Sequence, residues 1–227
     1  MKPHYTLAET RTPDGARLTL HEHDGSYCIR LNGQDLMHSD TSASEVLLGE
    51  LAAAQLARPG PVRVLIGGMG LGYTLKAVLA KAGPKAHVEV AELMPEVVEW
   101  NQTHMKALNG KLLDDPRVQI RLGDVVDTLA RARPEAYDAI LLDVDNGPTP
   151  MVRAGNVRLY GPRGLDVMKT KLRAGGRLAI WSAAPDRSFE ARLRAAGFIA
   201  QAMPARLFPT AKRSAYMIYV GDKPMAA

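Results

Sequence analysis

Residues suited to ligand binding occur in four short groups of this 227-residue sequence, each directly after a predicted β-strand. The first group consists of four glycines, Gly67, Gly68, Gly70 and Gly72. They stand between a predicted strand and a predicted helix. Glycine there permits a tight turn and lets a ligand approach the backbone, with the N–H groups of the helix facing it. The placement favours a ligand-binding loop.

Acidic residues form the next two groups. Glu92 follows the glycines by about 20 residues, the spacing at which a carboxylate accepts hydrogen bonds from ribose hydroxyls. Gly123 and Asp124 follow the next strand, where the carboxylate can accept a hydrogen bond from an exocyclic amine such as that of adenine. Structural roles are the alternatives: an acid at a helix start for Glu92 and a helix N-cap for Asp124.

The fourth group contains Asp143, Asp145 and Asn146, after the apolar residues 139–142. Two carboxylates and a carboxamide are costly to crowd unless a cationic group lies between them. A protonated amine, a sulfonium centre or a divalent metal would each fit. A turn over residues 146–148 explains part of the group but not Asp143. Metal ligands usually come from separate strand ends, so we expect no metal here.

The predicted elements place these groups along one edge of an open α/β sheet. Strands are predicted over residues 63–66, 87–91, 118–122, 139–143, 177–181, 199–203 and 215–220. Helices are predicted over residues 73–82, 95–108, 125–132, 159–172 and 188–196, with another from about residue 44 to residue 58. Strands that alternate with helices indicate a mainly parallel sheet, and ligands bind beyond the carboxyl ends of such strands. The last two strands have no helix between them and should pair antiparallel.

The N-terminal residues 1–41 predict a small β-meander ahead of the main domain of residues 42–227. Residues 17–22 and 27–31 alternate in polarity and are joined by an Asp-Gly pair that tolerates positive φ, which is typical of a hairpin. An Asn-Gly pair repeats the signal and predicts a third strand through residues 36–37.

Composition excludes several classes of protein. Hydrophobic residues make up 46% and charged residues 23%, as in a globular protein rather than a disordered one. No apolar stretch reaches the roughly 18 residues of a membrane span, and the lone Cys28 excludes an internal disulfide. We therefore expect a cytoplasmic protein without a membrane partner. The net charge of +5 favours nucleic acid only weakly because the cations are scattered.

Together these residues resemble the spermidine synthase (polyamine aminopropyltransferase) branch of the class I S-adenosylmethionine-dependent methyltransferases. The resemblance runs from about residue 31 to residue 198. It rests on residues 64–72, 90–98, 115–118, 123–124, 137–143 and 159–160. It implies a Rossmann-like fold, in which a mostly parallel seven-stranded sheet with an antiparallel last strand follows a small β-region. Because such relatives commonly dimerise, it also implies a homodimer.

The resemblance implies a site for S-adenosylmethionine or its decarboxylated form. Nucleotide contacts would come from Gly67, Gly68, Gly70, Gly72, Glu92, Leu93, Gly123, Asp124 and Asp143. In this arrangement Glu92 would hold the ribose and Asp124 the adenine amino group. Asp143, beside the sulfonium, would help deprotonate an attacking amine, and Asp145 is the second catalytic candidate.

A small accepting molecule would contact His38, Glu45, Asn146 and Tyr160. Two of these residues have structural alternatives. His38 could also lie in a solvated turn, and Tyr160, at helical spacing from Leu165, could also be a packing residue.

Three departures from the synthase pattern guide the functional expectation. Gly70 stands where the synthases carry an acid that engages the donor amine. Residues 43–45 retain only Glu45 of a Tyr-His-Glu motif, and the acidic stretch after the fourth strand is short. We therefore expect methyl transfer from intact S-adenosylmethionine to a small acceptor. Aminopropyl transfer is the alternative, and an RNA-directed methyltransferase or binding protein is a further one.

Overall fold

Two β-sheets organise the chain, whose computed structural model describes residues 4–56, 60–144 and 157–225. The first sheet, called the meander below, is antiparallel with its strands in chain order: β1 (Tyr5–Arg11), β2 (Arg17–His23), β3 (Ser26–Leu31) and β4 (Gln34–His38). Both predicted hairpin turns are present with positive φ. Strand β1 was missed because neither of its faces is buried, so its sequence lacks the apolar alternation that marks a half-buried strand.

The second sheet has seven strands in the order β10-β11-β9-β8-β5-β6-β7. They are β5 (Arg63–Gly67), β6 (His87–Glu92), β7 (Val118–Leu122), β8 (Tyr137–Leu142), β9 (Leu172–Ser182), β10 (Ile199–Ala205) and β11 (Tyr216–Asp222). Strands β5 to β9 pair in parallel, whereas β11 is antiparallel to both of its neighbours. The predicted open α/β sheet with an antiparallel last strand is confirmed.

Helices connect these strands. They are α1 (Ala43–Leu51), α2 (Ala53–Leu56), α3 (Tyr73–Lys81), α4 (Pro95–Gln102), α5 (Lys106–Asn109), α6 (Val125–Arg131), α7 (Val157–Tyr160), α8 (Pro162–Lys171) and α9 (Arg187–Ala195). Within the described ranges, no helix is long and apolar enough to cross a membrane.

Three predicted helices are interrupted. The one from about residue 44 to residue 58 divides at Ala52 into α1 and α2. The one over residues 95–108 breaks after α4, where Thr103 leaves the helical region and its hydroxyl donates to the carbonyl of Glu99 (2.7 Å). A threonine hydroxyl bonded in this way competes with helix continuation. The one over residues 159–172 breaks at extended Gly161, and Pro162 opens α8 at a position that suits proline.

The meander packs onto the sheet through a shared hydrophobic core. Leu20 and Ile29 of the meander belong to the same buried cluster as Val64 of β5 and Val90 of β6. The meander is thereby held beside the strand ends that carry the predicted site. The proposed division between residues 41 and 42 stays a prediction.

Candidate active site

A cavity of about 520 Å³ opens at the carboxyl ends of β5, β6, β7 and β8. Strand order departs from chain order between β5 and β8, and open α/β sheets bind ligands at such a point. One wall is the sheet edge and the other is the meander. Nine residues proposed from the sequence line the cavity: His38, Glu45, Gly68, Gly70, Glu92, Leu93, Gly123, Asp124 and Asp143.

The glycine loop (residues 67–72) is pressed between the end of β8 and the meander. Gly68 has a φ of 91°, and a Cβ there would lie 2.2 Å from the carbonyl oxygen of Asp143. Gly70 has a φ of 47°, and its Cβ would lie 2.7 Å from Met37 Sδ. A side chain at either point would collide with its neighbours, so glycine keeps the backbone of the loop accessible, as its sequence predicts.

Gly67 and Gly72 are placed differently from the expectation. A Cβ on Gly67 would meet Leu142, Val144 and Val125 at 3.0–3.1 Å, and one on Gly72 would meet Leu112 at 3.0 Å. Neither glycine is in the cavity wall. Neighbouring side chains occupy the space beside these two glycines, which favours a packing role, and their nucleotide contact stays a prediction.

Glu92 ends β6 and ties two loops together. Its Oε2 accepts from the N–H of Met69 (2.7 Å) and its Oε1 from the N–H of Met94 (2.8 Å). The residue is only 7% exposed, and burial raises the pKa of its carboxyl. A carboxylate offers about four lone-pair sites. Glu92 can therefore anchor the glycine loop and still accept from ligand hydroxyls.

Asp124 combines the two roles that the sequence left open. It is the N-cap of α6, with Oδ1 accepting from the N–H of Val126 (2.9 Å), and it also lines the cavity. The N–H of Gly123 donates to the carbonyl of Glu92 (2.8 Å), which joins the end of β7 to that of β6.

Asp143 follows β8 at the base of the cavity. Its N–H donates to the carbonyl of Gly67 (2.8 Å), and its Oδ2 accepts from Thr74 Oγ1 (3.2 Å). Burial, followed by repulsion from Glu45 and Glu92, raises the pKa of Asp143 to about 7. A carboxylate with such a pKa is suited to accept a proton near neutral pH.

Glu45 reaches this region through a close crossing of α1 and α3. A Cβ on Gly49 would lie 2.6 Å from the carbonyl oxygen of Thr74, so the two helices approach closely. Thr74 Oγ1 lies 3.2 Å from the carbonyl oxygen of Glu45, whose Oε2 accepts from Ser44 Oγ (2.5 Å). Burial raises the pKa of Glu45. Thr74 was missed in the sequence, although it stands in the first turn after the glycine loop.

The meander adds two acidic residues, Asp14 and Asp35, that the sequence did not mark as site candidates. Asp14 and Asp35 line the cavity. Asp40, which follows the meander, lines it as well, and its backbone N–H donates to His38 Nδ1 (3.2 Å). Among the described lining residues there are seven carboxylates and neither lysine nor arginine. The carboxylates are Asp14, Asp35, Asp40, Glu45, Glu92, Asp124 and Asp143. Such a cavity attracts a cation, although the chain has a net charge of +5.

Two aromatic residues complete the wall. Trp181 at the end of β9 and Tyr216 at the start of β11 face each other, with ring centroids 4.8 Å apart and planes inclined by 48°. Tyr216 was missed because the sequence marks it only as part of a strand. The pair provides an apolar surface beside the carboxylates.

Comparison with known proteins gives relatives of one kind. No family model matches the chain. Over 146 residues it is 34% identical to polyamine aminopropyltransferase 2 of Pseudomonas aeruginosa, an alignment that covers 63% of this chain and 39% of that protein. The polyamine aminopropyltransferase of Prochlorococcus marinus is 31% identical over 135 residues, or 60% and 43%. The chain thus spans about two fifths of the length of these relatives.

Solved structures agree in fold. A spermidine synthase from Thermotoga maritima superposes with a TM-score of 0.74 and 19% identity, covering 97% of this chain and 74% of that one. The chain has the spermidine synthase fold. A spermidine synthase in complex with the transition-state analogue AdoDATO gives the same TM-score at 18% identity, covering 97% and 73%. The resemblance stated from the sequence is confirmed.

One proposed residue lies away from the cavity in this spermidine synthase fold. Tyr160 is 1% exposed and packs edge-on against Phe189, with ring centroids 6.0 Å apart. It does not line the cavity, which favours the packing role that helical spacing also allowed, and its acceptor contact stays a prediction. Asp145 and Asn146 lie outside the described residues, and their roles stay predictions.

Proposed function

We propose that this chain transfers the aminopropyl group of decarboxylated S-adenosylmethionine to a small amine. The observation that carries the proposal is the cavity wall, which seven acidic residues line with neither lysine nor arginine among the described lining residues; one of the seven, Asp35, pairs with Arg30. Both substrates of such a reaction are cations, a sulfonium with an ammonium tail and a protonated amine. The names of the relatives support the same reaction class.

Hydrogen bonding in the glycine loop favours the decarboxylated donor. The N–H of Gly68 donates to the carbonyl of Ala91 (2.8 Å), that of Met69 to Glu92 (2.7 Å) and that of Gly72 to the carbonyl of Met69 (2.9 Å). These loop amides are therefore engaged within the protein. The carboxylate of intact S-adenosylmethionine would enter an acidic cavity with no cationic side chain among its described lining, which is unfavourable.

Aminopropyl transfer thus replaces methyl transfer as the preferred function. The methyl expectation depended on the missing loop acid at Gly70, on the reduced Tyr-His-Glu motif at residues 43–45 and on a short acidic stretch after β8. It did not take account of Asp14 and Asp35, which the meander brings to the cavity. Asp14 adds negative charge from a different part of the chain, whereas the charge of Asp35 is offset by Arg30 at 2.6 Å.

The reaction needs a proton acceptor and correct alignment of the reacting atoms. The accepting amine enters as an ammonium attracted to Asp143 and Glu45, and Asp143 takes one proton from it. The freed lone pair attacks the propyl carbon attached to sulfur. The C–S bond breaks, and its electron pair stays on sulfur as neutral methylthioadenosine leaves. Alignment of nitrogen, carbon and sulfur supplies much of the acceleration, because the sulfonium is already a good leaving group.

The nucleotide would lie along the sheet edge. We assign the ribose hydroxyls to Glu92, the adenine amino group to Asp124 and the floor of the site to Gly68 and Gly70. Leu93 and Gly123 line the same part of the cavity. The homodimer implied by the resemblance remains part of this proposal, and sedimentation of the purified protein would test it.

Calorimetric titration tests the donor, and a coupled transfer assay tests the reaction. Decarboxylated S-adenosylmethionine should bind at least about tenfold more tightly than the intact form, because the intact form buries an unpaired carboxylate. Methylthioadenosine should bind as a product. Tighter binding of the intact form, together with methyl transfer to an amine, would contradict the proposal and restore the methyl-transfer expectation.

A further inference from the structure

Two buried asparagines lie against the glycine loop without lining the cavity. Asn101 of α4 is 1% exposed and Asn109, the last residue of α5, is 6% exposed. Asn109 Nδ2 donates to Asn101 Oδ1 (2.5 Å), so their side chains form one unit, called the amide pair below. Because both side chains are polar and buried, their hydrogen bonds decide what they contribute.

The amide pair holds the loop through its carbonyl groups. Asn101 Nδ2 donates to the carbonyl of Gly70 (2.9 Å) and, within its own helix, to that of Val97 (2.8 Å). Asn109 Nδ2 also donates to the carbonyl of Leu71 (3.3 Å). The strand ends hold the same loop through its N–H groups, because Gly68 donates to Ala91 and Met69 donates to Glu92. The loop is therefore fixed from both sides.

The break between α4 and α5 brings Asn109 to this position. Helix α4 ends at Gln102, and the N–H of Met105 donates to the carbonyl of Trp100 (2.8 Å) as the chain turns. Lys76 Nζ donates to the carbonyl of Leu108, which ties α3 to α5 just before Asn109. A helix continued straight from α4, as the sequence predicted, would lack this turn.

Asn109 uses one end of its amide only. Its Oδ1 is buried and has no hydrogen-bond partner among the described residues, which costs stability. Its Nδ2 satisfies two buried acceptors, Asn101 Oδ1 and the carbonyl of Leu71. The second of these bonds, together with that of Asn101 to Gly70, acts directly on the glycine loop.

We propose that Asn101 and Asn109 are positioning residues that set the affinity of the glycine loop for the donor nucleotide. The inference rests on the proposed function, since it concerns the same nucleotide site. Neither asparagine contacts the ligand. The pair fixes the carbonyls of Gly70 and Leu71, so that the loop is already in its binding conformation and less ordering opposes association.

Calorimetry with methylthioadenosine on Asn101→Asp and Asn109→Ser tests the proposal. Asn101→Asp keeps an oxygen for Asn109 but loses the donor to Gly70, and its Kd should rise at least tenfold. Asn109→Ser loses the bond to Asn101 and the weaker bond to Leu71 but leaves the bond from Asn101 to Gly70, and its Kd should rise about threefold. The KM for the donor should rise in parallel, while the KM for the accepting amine stays within twofold. Should Asn101→Asp fail to fold, Asn109→Ser decides the question.

Tyr137→Phe is the matched control. It removes a buried hydrogen bond to Glu89 (2.9 Å) at the opposite end of the sheet and should lower Tm without changing the nucleotide Kd. If the asparagine variants likewise lose Tm but keep the wild-type Kd, the pair is only structural and the inference is overturned. If the wild-type protein binds no adenosyl nucleotide, the proposed function fails as well, and the two failures are thereby distinguished.

Discussion

The two walls of the cavity use acidic residues in different ways. On the sheet side, Glu92 is 7% exposed and both of its oxygens accept from backbone N–H groups. On the meander side, the side chain of Asp40 is 63% exposed, and Asp35 pairs with Arg30 at 2.6 Å. Buried charges act strongly on a ligand, whereas exposed ones are screened by water and salt. The sheet wall is therefore suited to fixing the donor, and the meander wall to attracting an amine.

The largest effect should come from Asp143→Asn, which removes the proton acceptor while preserving shape. We expect kcat to fall by about 10²–10⁴-fold, the usual contribution of a positioned base. The Kd for methylthioadenosine should stay within a few-fold. Steady-state assays and calorimetry measure both quantities, with the exposed Asp127→Asn on α6 as the control. Unchanged turnover would exclude Asp143 from the chemistry.

The pH dependence of stability should identify the same carboxyl. The folded state raises the pKa of Asp143 from 3.8 to about 7, so between these values the folded protein binds more protons than the unfolded chain. The free energy of unfolding should then fall as pH rises from about 4 to 7. Denaturant unfolding of wild type and Asp143→Asn measures this, and the variant should lose that part of the slope. Equal slopes would show that Asp143 does not titrate as stated.

The next largest effect should come from Glu92→Gln, which should weaken nucleotide binding at the sheet wall. One oxygen becomes an NH₂ group that faces the N–H of Met69 or Met94, so a donor meets a donor. We expect the Kd for methylthioadenosine to rise about 10–100-fold, in line with the loss of a charged hydrogen-bond partner. Calorimetry measures the change. Undiminished affinity would move the ribose site elsewhere.

Gly70→Asp examines the contact between the two walls. Alone it should weaken donor binding about tenfold, because its Cβ would collide with Met37 Sδ. Combined with Met37→Ala, which removes the colliding atom, it should recover the steric part of that loss, while the backbone strain of a side chain at a φ of 47° remains. The double-mutant cycle isolates the steric coupling. Additive losses in the two single variants would show that Met37 and Gly70 act independently.

The smallest effect should come from the meander. Asp40→Asn removes one exposed charge, so the KM for the accepting amine should rise only about two- to threefold, and less at high salt. The donor Kd should not change. Kinetics at two ionic strengths measure this difference. If the KM for the amine rose as much as the nucleotide Kd is expected to rise in Glu92→Gln, the two walls would bind their ligands with similar strength.

Local signals predicted the sheet wall well. A strand, a glycine loop and an acid directly after the next strand are encoded within short windows, so Gly68, Glu92, Asp124 and Asp143 could be placed from the sequence. The helix over residues 95–108 was wrong in extent because a single threonine hydroxyl, invisible to periodicity, ends α4.

The meander wall could not be predicted in the same way. Asp14 and Asp35 stand near hairpin turns, where acidic residues are ordinary. Their place in the cavity depends on how one sheet packs on the other, through contacts such as those of Leu20 and Ile29 with the main core. Gly67, Gly72 and Tyr160 do not line the cavity for the related reason that packing, rather than spacing, decides which side of a loop or helix meets it.

The distance between Glu45 and Asp143 depends on the crossing of α1 and α3 at Gly49. Because Gly49 has no side chain, α1 can lie against Thr74 of α3, and this is what carries Glu45 to Asp143. Even a methyl group at residue 49 would push the helices apart and alter the spacing of the two acids. Libraries that vary only pocket residues would leave this spacing untouched, so redesign of the amine preference should begin with the helix interface outside the pocket.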